Sequence, residues 1–400
     1  MAENALTGGR GTPKAWAALQ PLMPPLHTDS DYWWKLSGPC LATLMEAAGY
    51  SAEKQFEALV FHYHWIIPYM GPAPSVDGKL KWPSMFSKLN GMPMTYSWKW
   101  NTPTAKPEVR YTLEATNLLS GSEMDPLNQD PTNELLRRLR SVLPSLDLTW
   151  MDHFLSTLYD DDRQKYTLEA VSGAKLASTT LVSAEFAHKG LTMKTWFIPR
   201  KLGYDHGKIP MELWEQSLAQ LDPANAARAA VYDFIKTSSE GKMLSPLRYS
   251  MLGVDNVTPS KSRIKMYFRT PHTSFASVRE VMTLGGRIAF PETKMQELKS
   301  LVAAVACLNP DFDDNSEVRP TPGQGSGSKG ISSDLPAILS GFIYYFDIAP
   351  GGTLPDIKLY IQQRYLGQDD ASMANGVMSW MENHGRGQFC QSWNELGSLI

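Results

Sequence analysis

A recurrence constrains this chain more than any other feature. Four times, at intervals of roughly 70 to 90 residues, helical spacing gives way to two short runs rich in β-branched and aromatic residues. In the first instance Trp33, Leu36, Leu41, Leu44, Met45 and Ala48 are spaced for one buried helix face that Gly49 stops, and a second helical stretch covers 52–68. Strand-like runs follow at 94–100 and 108–115, separated by a turn rich in Thr and Pro. The order returns with helical spacing at 133–158, 211–237 and 274–308, the last interrupted at Gly285 and Gly286. Strand pairs accompany these at 181–199, at 249–254 with 262–270, and at 341–348 with 356–363. The Gly- and Ser-rich 322–330 reads as a loop.

Hairpins left open expose backbone donors and acceptors along their edges, and a closed antiparallel barrel wrapped by the helices removes those edges. The expected fold class is therefore α+β, an antiparallel β-barrel of repeated ααββ units ringed by helices. A helical stretch at 370–382 opens a fifth unit that the weakly strand-like 385–400 leaves incomplete. Residues 1–25, rich in Gly, Pro and Ala, read as a flexible segment, and 26–400 as a single barrel domain.

The charge balance excludes several classes. Lys and Arg number 38 against 41 Asp and Glu, a net charge of −3, which argues against a nucleic-acid binder that relies on bulk phosphate attraction. Any anion site must be local. No apolar run reaches membrane-spanning length and the start lacks a charged-then-apolar leader, so a cytoplasmic chain without membrane partners is expected. Cys40, Cys307 and Cys390 are scattered and give neither a disulfide framework nor a metal pair. The run Asp160-Asp161-Asp162 lacks the spaced form that holds magnesium, and His62 and His64 are two apart where a helical metal pair needs three or four. Neither a metal nor a cofactor is expected.

The chemistry lies in the second strand of each pair, where cationic and aromatic groups recur at period two. Arg110 stands in the first; Lys194 and Trp196 in the next; Arg263, Lys265 and Tyr267 in the third; Lys358 and Tyr360 in the fourth. Alternation places each set on one strand face while Ile264, Met266 and Leu359 point to the other. A solvated outer face is the ordinary fate of such residues, but recurrence on every second strand argues that they line the interior. Clustered cations repel unless a multivalent anion joins them, and a diphosphate is such an anion. Each charge-assisted hydrogen bond contributes about 1.5–3 kcal/mol, so a few suffice without metal. Tyr and Trp faces stabilise a carbocation by about 2 kcal/mol where water is excluded.

These residues sit in stretches that resemble the fungal indole prenyltransferases of the dimethylallyltryptophan synthase family. The matching stretches are Trp34-Lys-Leu-Ser37, Met45-Glu-Ala-Ala-Gly-Tyr50, Tyr69-Met-Gly-Pro-Ala-Pro74, Tyr96-Ser-Trp-Lys-Trp-Asn101, Ser262-Arg-Ile-Lys-Met-Tyr-Phe-Arg-Thr-Pro271, Val278-Arg-Glu-Val-Met-Thr-Leu-Gly-Gly286 and Leu354-Pro-Asp-Ile-Lys-Leu-Tyr360, in collinear order. The resemblance implies an ABBA-type prenyltransferase barrel of five ααββ units, monomeric or homodimeric. It also implies metal-independent transfer of a dimethylallyl group from dimethylallyl diphosphate to an aromatic small molecule in secondary metabolism, the acceptor being an indole alkaloid, a quinolone or a phenol. The family's diphosphate-binding positions fall on Arg110, Lys194, Arg263, Lys265, Tyr267, Lys358 and Tyr360. Trp196 stands where a tyrosine is usual, so it shields the cation without donating a phenolic hydrogen bond.

Three departures bear on activity. Thr95 occupies the place of the glutamate that takes the indole N–H in tryptophan-using relatives, and Leu181 aligns with their proton-accepting lysine; neither acts as a general base near neutral pH. An acceptor that binds by stacking, or a phenol whose oxygen activates its own ring, fits better than free tryptophan. Relatives close the barrel with a final hairpin carrying further tyrosines, which 388–400 lacks. The alternative reading is therefore a truncated, impaired paralogue that binds small aromatics or hydrolyses the diphosphate.

Overall fold

The computed structural model of the chain describes residues 12–86, 91–102, 104–204, 209–246, 251–318, 341–362, 366 and 369–390. Its strands in chain order are β1 (Met94–Lys99), β2 (Glu108–Leu113), β3 (Thr180–Ala187), β4 (Gly190–Phe197), β5 (Ser245–Pro246), β6 (Leu252–Asp255), β7 (Ile264–Arg269), β8 (Ile343–Ile348) and β9 (Asp356–Tyr360). The chain divides into two compact units: Met1–Ser217 with Gly253–Pro259 and Gln391–Ile400, and Leu218–Leu252 with Ser260–Cys390.

In the first unit β1, β2, β3 and β4 pair in sequence order, each antiparallel to the next, and β6 follows β4. The apolar strand face meets the helices. Tyr111 and Phe186 approach His62 and Phe61 at ring separations of 5.5 and 6.2 Å, and Phe197 lies 5.2 Å from Phe154. Thr28–Ala47 buries Trp33, Leu41 and Met45, as the spacing predicts, and also Trp34, while Leu36 and Leu44 are half-buried. Ser51 caps Ala52–Phe61 by accepting from the Lys54 N–H, and the expected continuation to 68 becomes a π turn at His62–Ile66 and a 3₁₀ turn at Ile67–Tyr69, where Pro68 cannot donate.

The stretch 133–158 is two helices, Asp130–Leu139 and Thr149–Thr157, separated around Pro144. Beyond them Arg163–Val171 is a helix that the spacing did not reveal, capped by the Asp162 carboxylate on the Lys165 N–H. Asp160 accepts from Leu202 N–H at 2.7 Å, so two members of the acidic run serve local backbone donors. Part of the segment expected to be flexible is also ordered. Lys14–Leu19 is helical, and Trp16 lies 4.5 Å from Trp34 and so close over Gly38 that an added Cβ would come within 2.0 Å of its ring. Burying one indole outweighs the loose composition around it.

In the second unit β7, β8 and β9 form an antiparallel ladder, with β5 on β7. The expected helix at 211–237 is divided into Met211–Leu221, which begins in the first unit, and Ala226–Thr237, capped by Asn225. The break at Gly285 and Gly286 falls where expected, both with positive φ, between Phe275–Met282 and Glu292–Ala306. Asp369 caps Asp370–Asn383. The expected loop 322–330, the strand start at 249–250, residue 363 and the tail 391–400 lie outside the described residues.

Candidate functional site

Alternation on β1 to β4 separates two faces, and the polar face of the first unit carries the candidate residues. Register places Thr95, Thr112, Ser183 and Lys194 in one cross-strand row, and Ser97, Arg110, Glu185 and Thr192 in the next. Lys194 donates from Nζ to Glu185, whose residue is 8% exposed, and Lys99 Nζ stands 3.9 Å from the same carboxylate. Burial pushes the Glu185 pKa up, but Lys194, Arg110 and Lys99 together outweigh burial and hold it below the usual carboxylate value. Thr112 and Ser183 hydroxyls are 2.7 Å apart, and the Trp196 indole N–H donates to Ser183 Oγ at 2.6 Å. The Trp196 ring lies against Gly253 so closely that a Cβ there would meet it at 2.1 Å.

Two other carboxylate and proton-acceptor positions are settled by their surroundings. Leu181 is 2% exposed and opposite Trp196, so that position offers only apolar surface. Glu114, just past β2 and buried, accepts from Trp82 Nε1 at 3.0 Å, Ser84 Oγ at 2.7 Å, the Met85 N–H at 2.7 Å and Ser178 Oγ. Its lone pairs are committed to holding the 82–85 segment.

The second unit presents a comparable face. Across β7, β8 and β9 the register aligns Tyr267, Tyr345 and Lys358 in one row and Lys265, Asp347 and Asp356 in the next. Tyr267, Tyr345 and Tyr360 form a cluster with ring centroids 5.1, 5.7 and 6.1 Å apart, and Lys358 Nζ sits 4.9 Å over the Tyr345 ring. Arg263 donates to Asp347 Oδ2 at 2.9 Å. Ile264, Met266, Phe268, Tyr344 and Phe346 fill the opposite, buried face.

The expected residues thus fall into two groups: Thr95, Arg110, Lys194 and Trp196 on the polar face of the first unit, and Arg263, Lys265, Tyr267, Lys358 and Tyr360 in the second. Lys265 and Tyr267 are buried, whereas Lys358 and Tyr360 on β9 are exposed. Period-two reading of the second strands alone missed the first strands. There Glu185 on β3 and Tyr345 and Asp347 on β8 supply the carboxylates and the third tyrosine. Among the described residues no group of three or more His, Cys, Asp or Glu is arranged to hold a metal ion, and no helix is long and apolar enough to cross a membrane.

Comparison with known proteins gives this geometry a family. The family described as tryptophan dimethylallyltransferase matches residues 29–395. A prenyltransferase of Penicillium roqueforti, anuH, is 52% identical over 96% of this chain and 84% of its own length, and xanthone prenyltransferase A of Emericella nidulans is 46% identical over 94% and 85%. The crystal structure of NotF in complex with brevianamide F and DMSPP superimposes with a TM-score of 0.75 at 21% identity, over 97% of this chain and 90% of that one. AnaPT from Neosartorya fischeri gives 0.73 at 21% identity, over 96% and 88%. These two likenesses bear on the fold, which is the α+β architecture of the ABBA prenyltransferases. The chain belongs to the tryptophan dimethylallyltransferase family and is an aromatic prenyltransferase.

Proposed function

We propose that the chain moves a dimethylallyl group from dimethylallyl diphosphate onto a phenolic, ring-activated aromatic small molecule of fungal secondary metabolism, without a metal. The observation that carries the reading is the face on which Lys265, Tyr267, Tyr345, Lys358 and Tyr360 sit together, cations beside a three-tyrosine cluster. Arg263, Lys265, Tyr267, Lys358 and Tyr360, with Arg110 and Lys194, are the proposed diphosphate contacts. The positive charge of the lysines and arginines takes the place that a metal ion fills in other diphosphate sites, and the tyrosines add neutral hydrogen-bond donors.

In the proposed reaction the allylic C–O bond breaks, the electron pair leaves with diphosphate, and the tyrosines of the second unit face the carbocation. A ring carbon of the acceptor then forms the C–C bond. The ring proton goes to the departed diphosphate, itself a base; Thr95 and Leu181 carry no basic group. A phenol suits this arrangement, since its own oxygen raises the ring's nucleophilicity; the xanthone prenyltransferase among the relatives supports this acceptor class. Residues 26–400 are read as one catalytic domain, supported by the family match over 29–395. A cytoplasmic monomer or homodimer belongs to the same proposal.

The test is incubation of the purified chain with dimethylallyl diphosphate, EDTA and a panel of hydroxyxanthones, other phenols, quinolones, indoles and cyclic dipeptides, read by mass spectrometry. Prenylated phenols in EDTA are expected. Turnover that requires added magnesium overturns the metal-free reading, product from indoles alone overturns the acceptor, and dimethylallyl alcohol without product favours hydrolysis.

A further inference from the structure

Each cationic set contains a buried carboxylate that anion binding alone does not call for. Glu185 shares the polar face with Arg110 and Lys194, lies opposite Arg110 in the β2–β3 register, and takes the Lys194 ammonium directly. In the second unit Asp347, its side chain 1% exposed, accepts from Arg263 at 2.9 Å and lies opposite Lys265 in the β7–β8 register. The same arrangement therefore occurs twice, on β3 and on β8, each time on the first strand beside a cationic second strand. A buried carboxylate stabilises buried cations while the site is empty, yet its charge opposes an arriving diphosphate.

From this we infer that Glu185 and Asp347 are exchangeable counter-anions. Glu185 pairs Lys194 in the empty enzyme, yields it to the donor's diphosphate, and takes it back as product diphosphate leaves; Asp347 does the same for Arg263. The inference rests on the diphosphate contacts proposed above. It gives the two carboxylates a positioning role with a kinetic purpose: they keep the cations folded inward between turnovers and prevent a tightly held product from stalling the enzyme. A purely structural ion pair would stabilise the fold and leave diphosphate affinity unchanged.

Titration of inorganic diphosphate in EDTA, thermal melts and steady-state kinetics on wild type, Glu185→Gln, Asp347→Asn and Lys194→Met separate these readings. Glu185→Gln is expected to melt lower when empty, to bind inorganic diphosphate about tenfold more tightly, the scale of one charge acting across a few ångströms, and to show lower KM for the donor with lower kcat from slow product release. Lys194→Met is expected to weaken inorganic diphosphate. Should Glu185→Gln fail to fold, Asp347→Asn carries the same expectation, because Arg263 is 40% exposed at its side chain and keeps access to water. Unchanged or weaker diphosphate binding in the carboxylate variants, with Lys194→Met still weakened, overturns the exchange and leaves the cation assignment standing. Full affinity in Lys194→Met overturns the cation assignment itself, and the exchange with it.

Discussion

Lys265 and His62 are both buried, and each makes a distinct measurement informative. Lys265, 3% exposed on β7, has no route to bulk water that would replace a lost anion contact. Lys265→Met should therefore lower kcat/KM for the donor by about 10- to 150-fold, the range of one charge-assisted hydrogen bond of about 1.5–3 kcal/mol, with little change in the acceptor's KM. His62 concerns stability. It is fully buried, its Nε2 lies 2.8 Å from Ser37 Oγ, and burial lowers its pKa to about 3. The unfolded chain takes up this proton near pH 6.5 and the folded chain does not, so stability falls with pH below about 6.5 by about 1.4 kcal/mol per unit until the folded pKa is reached. His62→Gln removes that slope. Urea unfolding at pH 7 and pH 5 should show the wild type losing about 2 kcal/mol relative to the variant over that interval.

At the scale of elements, the tyrosine cluster joining β7, β8 and β9 makes its own prediction. Tyr345→Leu keeps apolar bulk but removes a ring from the face proposed to meet the carbocation. It should lower kcat and kcat/KM together by about 30-fold, corresponding to about 2 kcal/mol of cation–π stabilisation, and raise the share of dimethylallyl alcohol among products. Equal kcat in the variant would remove Tyr345 from that role. The same strands show how far the sequence could be read. Arg263, Lys265 and Tyr267 alternate with Ile264, Met266 and Phe268, so the face of β7 follows from period two. On β8 every residue is buried, and a strand covered on both faces reads as core rather than as alternation, which hid Tyr345 and Asp347. Helix boundaries failed for another reason. Pro144 and Pro223 divide stretches whose apolar spacing continues across the break, and the averaged composition of residues 1–25 concealed the indole of Trp16.

For the whole molecule, family and fold class were legible because motif blocks run collinearly from Trp34 to Tyr360. The acceptor was less legible, because the positions that would specify it, Thr95 and Leu181, present no titratable group whose chemistry could be read. Donor binding has a global signature. A ligand that binds only the folded chain, present at 100 times its Kd, adds about 2.7 kcal/mol of stability, so inorganic diphosphate should raise the melting temperature of the wild type and much less that of Lys265→Met. Trp196 and Gly253 bear on how such a chain can change over generations. With the indole ring 2.1 Å from where a side chain at 253 would begin, any residue larger than glycine there forces the tryptophan to shift. A smaller aromatic at 196 would release the volume that a side chain at 253 needs. The two positions are therefore coupled by volume: the space that the indole fills is the space a side chain at 253 would need.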